Sequence, residues 1–379
     1  MAELVDFARF NGDMNTLSPI NLFEYEQLAK EHLSQMAFDY YSSGAWDEVT
    51  LRDNLAAFTR VKLRPKMLVD VSKIDLTTKV LGASLQIPLL IAPMAFQCLA
   101  HPDGELATAL AAEAVGVGMV LSTLATKSLE EVATVANGLK WFQLYIHKDQ
   151  GLTRALVERA YKAGYKAICL TVDAPILGKR ERDHRNQFTL PPGLYPANLT
   201  NISGLDIPQT KGESRLLSYF AQQINPAVTW KDLEWLESLS PLPLVVKGIL
   251  RADDAIRAVE YGAQAIVVSN HGGRQLDGAI ASLDALPEII AAVDGKAEVL
   301  LDGGIRRGTD ILKALAFGAK AVLIGRPILW GLAVAGQTGV SHVISLLEEE
   351  LKAAMTLSGC PTLQDIDSSL VSQLTKKNF

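Results

Sequence analysis

The chain has 379 residues, 49% apolar and 21% charged, enough for two average domains or one large α/β barrel with extensions. Its formal net charge of −6 argues against non-specific nucleic-acid binding. The three scattered cysteines, Cys98, Cys169 and Cys360, exclude a disulfide framework or a zinc site. They fit a reducing compartment. The longest apolar runs reach about eight residues, against the ~20 of a membrane span, and residues 1–16 lack an apolar signal core. A cytoplasmic protein with no membrane or nucleic-acid partner is expected.

Residues 1–20 read as a flexible extension. A helix begins after Asn21, which can cap it, with Leu22, Phe23, Leu28, Leu33 and Met36 on one face. It ends before Ser42-Ser43-Gly44. Tyr25 lies on this helix, where packing alone would account for it. A second helix is expected over 48–58, and extended chain over 62–80, where Arg64-Pro65 blocks a helix.

Eight short apolar runs follow, over 87–92, 118–122, 141–146, 167–173, 244–248, 265–270, 299–304 and 321–325. Helical stretches separate nearly all of them: from 104, then 129–135, 151–162, 253–261, 283–293 and 309–317. Strand-length runs alternating with helices specify a parallel sheet, and eight such units specify a (β/α)8 TIM barrel of the α/β class. The barrel domain is expected over 21–370, after an N-terminal helical extension. A C-terminal helix is expected over 340–357 and a tail over 371–379. The gap between the fourth and fifth strands, residues 178–241, is long for a compact domain and reads as a lid or binding loop.

Barrel sites form on the loops after the strands. Strand one ends in Pro93, Met94 and Ala95. Strand two ends in Ser122, Thr123 and Leu124, and strand three in Gln143 and Tyr145. Strand four ends in Thr171 and Asp173, followed by Arg180, and strand five in Lys247. Strand six leads into Ser269, His271 and Arg274, strand seven into Asp302, Gly303, Gly304, Ile305 and Arg306, and strand eight into Gly325 and Arg326.

His271 offers an imidazole that can take a proton and Arg274 presents a planar fork, a pair suited to a carboxylate substrate that must lose a proton. The plain alternative is a capping loop with a satisfied histidine. The glycines and arginines after strands seven and eight suit a phosphate. Lys247 could form a Schiff base, as in an aldolase, or stabilise a delocalised anion. Asp173 can pair with His271 or cap a helix. A silent phosphate-ligand-binding barrel is the third reading.

The motifs Ser269-Asn270-His271-Gly272-Gly273-Arg274-Gln275, Leu301-Asp302-Gly303-Gly304-Ile305-Arg306-Arg307-Gly308, Phe142-Gln143-Leu144-Tyr145, Thr171-Val172-Asp173 and Val246-Lys247-Gly248 carry a resemblance. The chain resembles the FMN-dependent α-hydroxy acid oxidases, the family of glycolate oxidase and L-lactate oxidase, from about Asn21 to Leu370. The resemblance implies FMN across the barrel mouth. Its phosphate would lie at Gly303, Gly304, Arg306, Gly325 and Arg326, with Asp302 and Ile305 beside them. Its ring would contact Pro93, Met94, Ala95, Ser122, Gln143, Thr171, Lys247 and Ser269.

The resemblance also implies that Arg180, Arg274 and Tyr25 hold the substrate carboxylate and that Tyr145 bonds the substrate oxygen. His271 would take the hydroxyl proton while the α-hydrogen passes to the flavin as hydride, Asp173 would hold His271, and Lys247 would stabilise the reduced ring. A carbanion route through His271 is the older alternative. O2 would then be reduced to H2O2.

Glycolate oxidases similar to this chain carry tryptophan where Leu124 stands and threonine where Met94 stands. The smaller Leu124 implies L-lactate as the favoured 2-hydroxy acid, oxidised to pyruvate. Glycolate would be a poorer substrate, since one methyl is worth only ~1–3 kcal/mol. A dehydrogenase with another electron acceptor is the other alternative. The family resemblance implies a homo-oligomer, a tetramer or octamer. The C-terminal Lys376-Lys377-Asn378-Phe379 lacks a peroxisomal tripeptide.

Overall fold

The computed structural model describes residues 18–199 and 223–373. Eight parallel strands close into a barrel: β1 Leu89–Ile91, β2 Gly118–Leu121, β3 Lys140–Leu144, β4 Ile168–Thr171, β5 Leu244–Ile249, β6 Ala265–Val268, β7 Glu298–Asp302 and β8 Ala321–Ile324. β8 returns to pair with β1 through Leu323↔Leu90, which closes the cylinder. The expected (β/α)8 architecture is what forms. The six intervening helices begin within one residue of expectation, and the five whose ends were expected stop within one residue as well.

The strands are apolar on both faces because both faces are buried. Side chains alternate along a strand. One alternate set, Leu90, Val120, Trp141, Cys169, Val245, Val267, Leu300 and Leu323, forms a separate cluster that fills the barrel interior. The other set, including Leu89, Met119, Phe142, Leu170, Val246 and Leu301, packs outward against the helices. The hairpin Thr78–Val80/Ala83–Leu85 adds Val80 and Leu85 to the inner cluster. Leu81 N donates to Glu298 at the start of β7 (2.9 Å), so the hairpin closes the N-terminal end of the barrel.

The period of two then decides what reaches the other end. Two residues beyond each inner apolar residue the same face continues as Ala92, Ser122, Gln143, Thr171, Lys247, Ser269, Asp302 and Gly325. The barrel is dry inside and polar at its mouth.

Three helices precede the barrel: α1 Leu22–His32, α2 Gln35–Ser42 and α3 Val49–Arg60. The single helix expected from Asn21 is two. Asn21 Oδ1 caps α1 by accepting from Phe23 N and Glu24 N, both at 3.0 Å. Ser34 Oγ accepts from Ala37 N (3.2 Å) and starts α2 in a new direction. The buried face of α1 is Leu22, Tyr25 and Ala29, while Phe23 is exposed.

The tail expected after Leu370 is also corrected. Val371–Gln373 pairs antiparallel with Val61–Leu63, so the chain returns to the point where it enters the barrel. The expected lid over 178–241 falls partly outside the described residues. Its flanks carry the helices Glu181–Arg185 and Lys231–Ser238. Residues 223–225 lie along 146–148, with Lys148 N donating to Gln223 O at 2.8 Å and Asn225 N to Ile146 O at 2.9 Å.

The last helix, Arg326–Ser358, is longer than the expected 340–357 and starts directly after β8. By length and composition it could cross a membrane, but it is broken at Ala335 and Gly336 and packs against Gly104–Val115, α1 and Gly308–Ala316. At the break the backbone folds sharply. A Cβ on Gly331 would meet Gly339 O at 2.5 Å, and one on Gly339 would meet Gly331 O at 2.0 Å. Two glycines are needed for this crossing.

Candidate functional site

A cleft of about 1470 Å³, counting its open mouth, lies at the C-terminal ends of the strands. Its walls include Pro93, Met94, Ala95, Ser122, Leu124, Gln143, Tyr145, Thr171, Arg180, Lys247, His271, Arg274, Asp302, Gly303, Gly304, Ile305, Arg306, Gly325 and Arg326. The cleft thus gathers most of the residues singled out in the sequence.

Three of those residues stand elsewhere. Asp173 lies behind His271, its Oδ1 2.8 Å from Nδ1. Ser269 is fully buried behind the wall; its Oγ accepts from Lys247 Nζ (2.9 Å) and from His271 N (3.0 Å). It holds two wall residues, Lys247 and His271. Tyr25 is outside the site altogether. Its OH bonds His342 Nδ1 at 2.7 Å on the last helix, and burial pushes its phenol up to about 12.

The tyrosine that enters the cleft is Tyr40, on α2. The guanidinium carbons of Arg180 and Arg274 lie 5.5 and 5.2 Å from its ring centre, and Phe188 stacks on it at 4.3 Å. The helix break at Ser34 is what turns Tyr40 inward. The sequence reading passed over Tyr40 and also His147, a cleft residue that follows Tyr145 by two and so keeps its side of the strand. Burial pushes His147 down to about 4, so its imidazole is neutral.

His271 has φ +59, a left-handed backbone that favours glycine, and Gly272 and Gly273 continue the turn at φ 63 and 74. Strain of this kind clusters at functional sites. With Nδ1–H donated to Asp173, the other ring nitrogen carries the lone pair. Burial raises the Asp173 carboxyl, but the opposing pull of His271 and Lys247 wins and holds it below the usual carboxylate range.

Lys247 is 4% exposed and its Nζ lies 2.9 Å from Asp302 Oδ2. Burial favours loss of its proton; Asp302 and Asp173 outweigh that and raise it above the ordinary lysine value. Lys247 is therefore a fixed cation. A Schiff-base lysine must shed its proton to attack, so the aldolase reading loses its nucleophile. Burial raises the Tyr145 phenol too, which keeps Tyr145 a hydrogen-bond donor.

Beyond the strand ends the charges are of one sign. Arg274 donates to Ser43 O at 2.9 Å, and Arg326 to Tyr41 O, Gly272 O and Ser43 O at 2.9–3.0 Å. Arg306 Nη1 donates to Ile305 O at 3.0 Å, and its buried Nε has no partner among the described residues. Among the described residues no carboxylate pairs with any of the three. Burial first, then the charge of Arg180, pushes Arg274 down to about 10; burial first, then Arg274 and Arg306, pushes Arg326 down to about 9. Arg180 alone is paired, with Asp183 Oδ2 at 2.6 Å.

Beside these arginines, Gly303 and Gly304 turn at φ 99 and 82, and a Cβ on Gly304 would sit 2.1 Å from Asn54 O. Only glycine fits this turn. Gly325 sits at the N-terminus of the last helix, where backbone N–H groups favour an anion. The unpaired Arg306 Nε, the glycine turn and the uncompensated guanidiniums fit the phosphate of FMN, and the fixed Lys247 cation fits a ring that gains negative charge.

Comparison with known proteins agrees with this chemistry. The profile of the FMN-dependent dehydrogenase family matches residues 29–373. L-lactate oxidase of Nostoc sp. is 78% identical over 358 residues, covering 93% of this chain and 98% of that protein. 2-Hydroxyacid oxidase 1 of Mus musculus is 53% identical, covering 92% and 95%. A crystal structure of mandelate oxidase with (S)-4-hydroxymandelic acid superposes with a TM-score of 0.86 at 45% identity, covering 91% of this chain and 97% of that one. The chain belongs to the FMN-dependent dehydrogenase family, on a (β/α)8 barrel.

Proposed function

We propose that the chain oxidises L-lactate to pyruvate, with O2 reduced to H2O2. The observation that carries the substrate assignment is Leu124 in the cleft wall beside Met94, an adaptable apolar surface where a methyl group can pack. The 78% identity to the Nostoc sp. L-lactate oxidase supports it.

The substrate carboxylate is held by Arg180 and Arg274, whose forks converge over Tyr40. Tyr40 takes the carboxylate-contacting role that the sequence reading gave to Tyr25. Tyr145 donates to the substrate oxygen. His271 removes the hydroxyl proton at the nitrogen not bonded to Asp173, and the resulting imidazolium is stabilised by Asp173 at 2.8 Å. FMN, when bound, supplies the acceptor for the Cα hydrogen with its electron pair and passes the electrons to O2. Gln143 bonds Thr123 N (3.1 Å) and Thr171 Oγ1 (3.1 Å), which orients its amide at the cofactor face of the cleft.

The test is a flavin absorbance spectrum recorded anaerobically, with L-lactate and then air. Bleaching by lactate and rapid recovery in air is the expected result. Bleaching without recovery identifies a dehydrogenase, and bleaching by glycolate alone overturns the reading of Leu124. Assembly into a homotetramer or octamer in the cytoplasm is part of the same proposal. The exposed apolar loop Met67-Leu68-Val69 supports the assembly, and light scattering tests it.

A further inference from the structure

A pair of buried amides links two parts of the mouth through a residue outside the barrel. Asn54, on α3, is 2% exposed and Asn270 is 4% exposed. Asn54 Nδ2 donates to Asn270 Oδ1 at 2.8 Å, and Asn270 Nδ2 donates back to Asn54 Oδ1 at 2.7 Å. Three further bonds hold the pair. Asn270 Oδ1 accepts from Gly273 N (3.1 Å), Asn270 Nδ2 donates to Ile280 O (3.0 Å), and Asn54 Oδ1 accepts from Ser282 N (3.3 Å).

Asn270 immediately precedes His271, so the pair grips the strained turn on which the base stands. A turn at positive φ persists only where its surroundings over-determine it. Asn54 also touches the second turn. Its carbonyl oxygen and side-chain amide lie 2.1 and 3.4 Å from where Cβ atoms on Gly304 and Gly303 would be. One residue therefore abuts both the His271 turn and the Gly303–Gly304 turn.

We propose that Asn54 is a positioning residue that holds the base and the phosphate turn in one register, so that FMN affinity and proton abstraction depend on it together. The inference rests on the reading of His271 as the base and of Gly303 and Gly304 as the phosphate cradle. Asn54 is not a catalytic residue, since it acts through Asn270 and the two turns.

The chemistry of the pair supplies the test. A reciprocal amide pair needs one donor and one acceptor on each partner. Leucine has Asn54's approximate size and offers neither. An ionised aspartate offers two acceptors and faces Asn270 Oδ1 with like charge, whereas a protonated aspartic acid restores one donor and one acceptor. Burial would raise the pKa of such a carboxyl. The charged groups on the packed elements are engaged elsewhere: Arg60 with Asp53 and Asp284, Asp277 with Thr50 N, Arg326 with Gly272 O. His271 is held by Asp173.

FMN affinity of the apoprotein, read by flavin fluorescence, and kcat with L-lactate at saturating FMN would be measured from acid to alkaline pH. The wild type, Asn54→Leu and Asn54→Asp would each be compared at the same pH, with the thermal midpoint of each apoprotein. Asn54→Leu is expected to weaken FMN binding about tenfold to a hundredfold and to lower kcat at every pH. Asn54→Asp is expected to match the wild type at the acid end and Asn54→Leu at the alkaline end, in both readouts. Because the aspartate variant switches reversibly, it controls for misfolding of the leucine variant. Wild-type affinity and kcat with only a lowered thermal midpoint would reduce Asn54 to packing and overturn the inference. So would a loss in one readout without the other. A wild-type apoprotein that binds no FMN would overturn the reading of the site and this inference with it.

Discussion

At the strand ends each buried carboxylate has a partner: Asp302 meets Lys247 at 2.9 Å and Asp173 meets the His271 imidazole at 2.8 Å. A few residues further out, Arg274, Arg306 and Arg326 meet backbone carbonyls, and Arg274 the Tyr40 ring, but among the described residues no carboxylate. The inner ring is balanced within the protein, so it is set before any ligand arrives. The outer ring leaves its charge to be matched from outside, as sites for a phosphate and a carboxylate must. Catalytic pairing is thus built into the fold, while the binding ring is where the fold leaves charge uncompensated.

The largest effect is expected at the base. His271→Asn should lower kcat about 10²–10⁴-fold while leaving FMN affinity near wild type, measured by steady-state kinetics and flavin titration. A matching loss of FMN affinity would erase the division between the two rings. The Asp173 partner adds a pH signature. Its folded-state pKa lies below the ordinary value, so its stabilising contribution is present above the ordinary carboxylate range and lost as pH falls through the depressed value. Asp173→Asn should therefore lower the thermal midpoint at neutral pH and converge with the wild type in strong acid.

The sharpest contrast comes from two substitutions of similar volume change. Lys247→Met strands the Asp302 carboxylate in the interior and should cost about 3–5 kcal/mol of stability. Arg326→Met removes a repelled cation and should cost the apoprotein far less, yet weaken FMN binding by about 1.5–3 kcal/mol. Urea unfolding of the apoproteins beside flavin titrations would decide, and equal destabilisation by both would break the comparison.

Smaller is the expected effect of Leu124→Trp. It should shift the ratio of kcat/KM for lactate over glycolate by about tenfold toward glycolate. Smallest is Tyr25→Phe. It loses one buried hydrogen bond to His342, worth about 1 kcal/mol, with KM for lactate unchanged. Tyr40→Phe, by contrast, should raise KM.

The barrel was legible because each strand is a short run of buried apolar residues, and the period of two carries Gln143, Thr171, Lys247 and Asp302 to one face at one end. Tyr25 was misplaced because a tyrosine on an amphipathic helix looks the same whether it meets a substrate or His342. The break at Ser34, a single capping hydroxyl, is what turns α2 and Tyr40 into the cleft. Ser269 reads as a wall residue by register, yet its hydroxyl is taken by Lys247 and His271. The Asn54–Asn270 pair joins residues 216 positions apart, and no local pattern signals such a contact. The strand Val371–Gln373 was missed for the same reason, since its partner is Val61–Leu63.

At the crossing of Gly331 and Gly339, each carbonyl occupies the space where the other residue's methyl would go. Alanine at either position is therefore not a one-carbon change but a wedge between two rods. The first rod begins with Arg326, five residues before Gly331, so the displacement would arrive at the phosphate end of the cleft. In a laboratory evolution campaign for cofactor retention, these two positions behave as part of the binding site although no ligand could reach them.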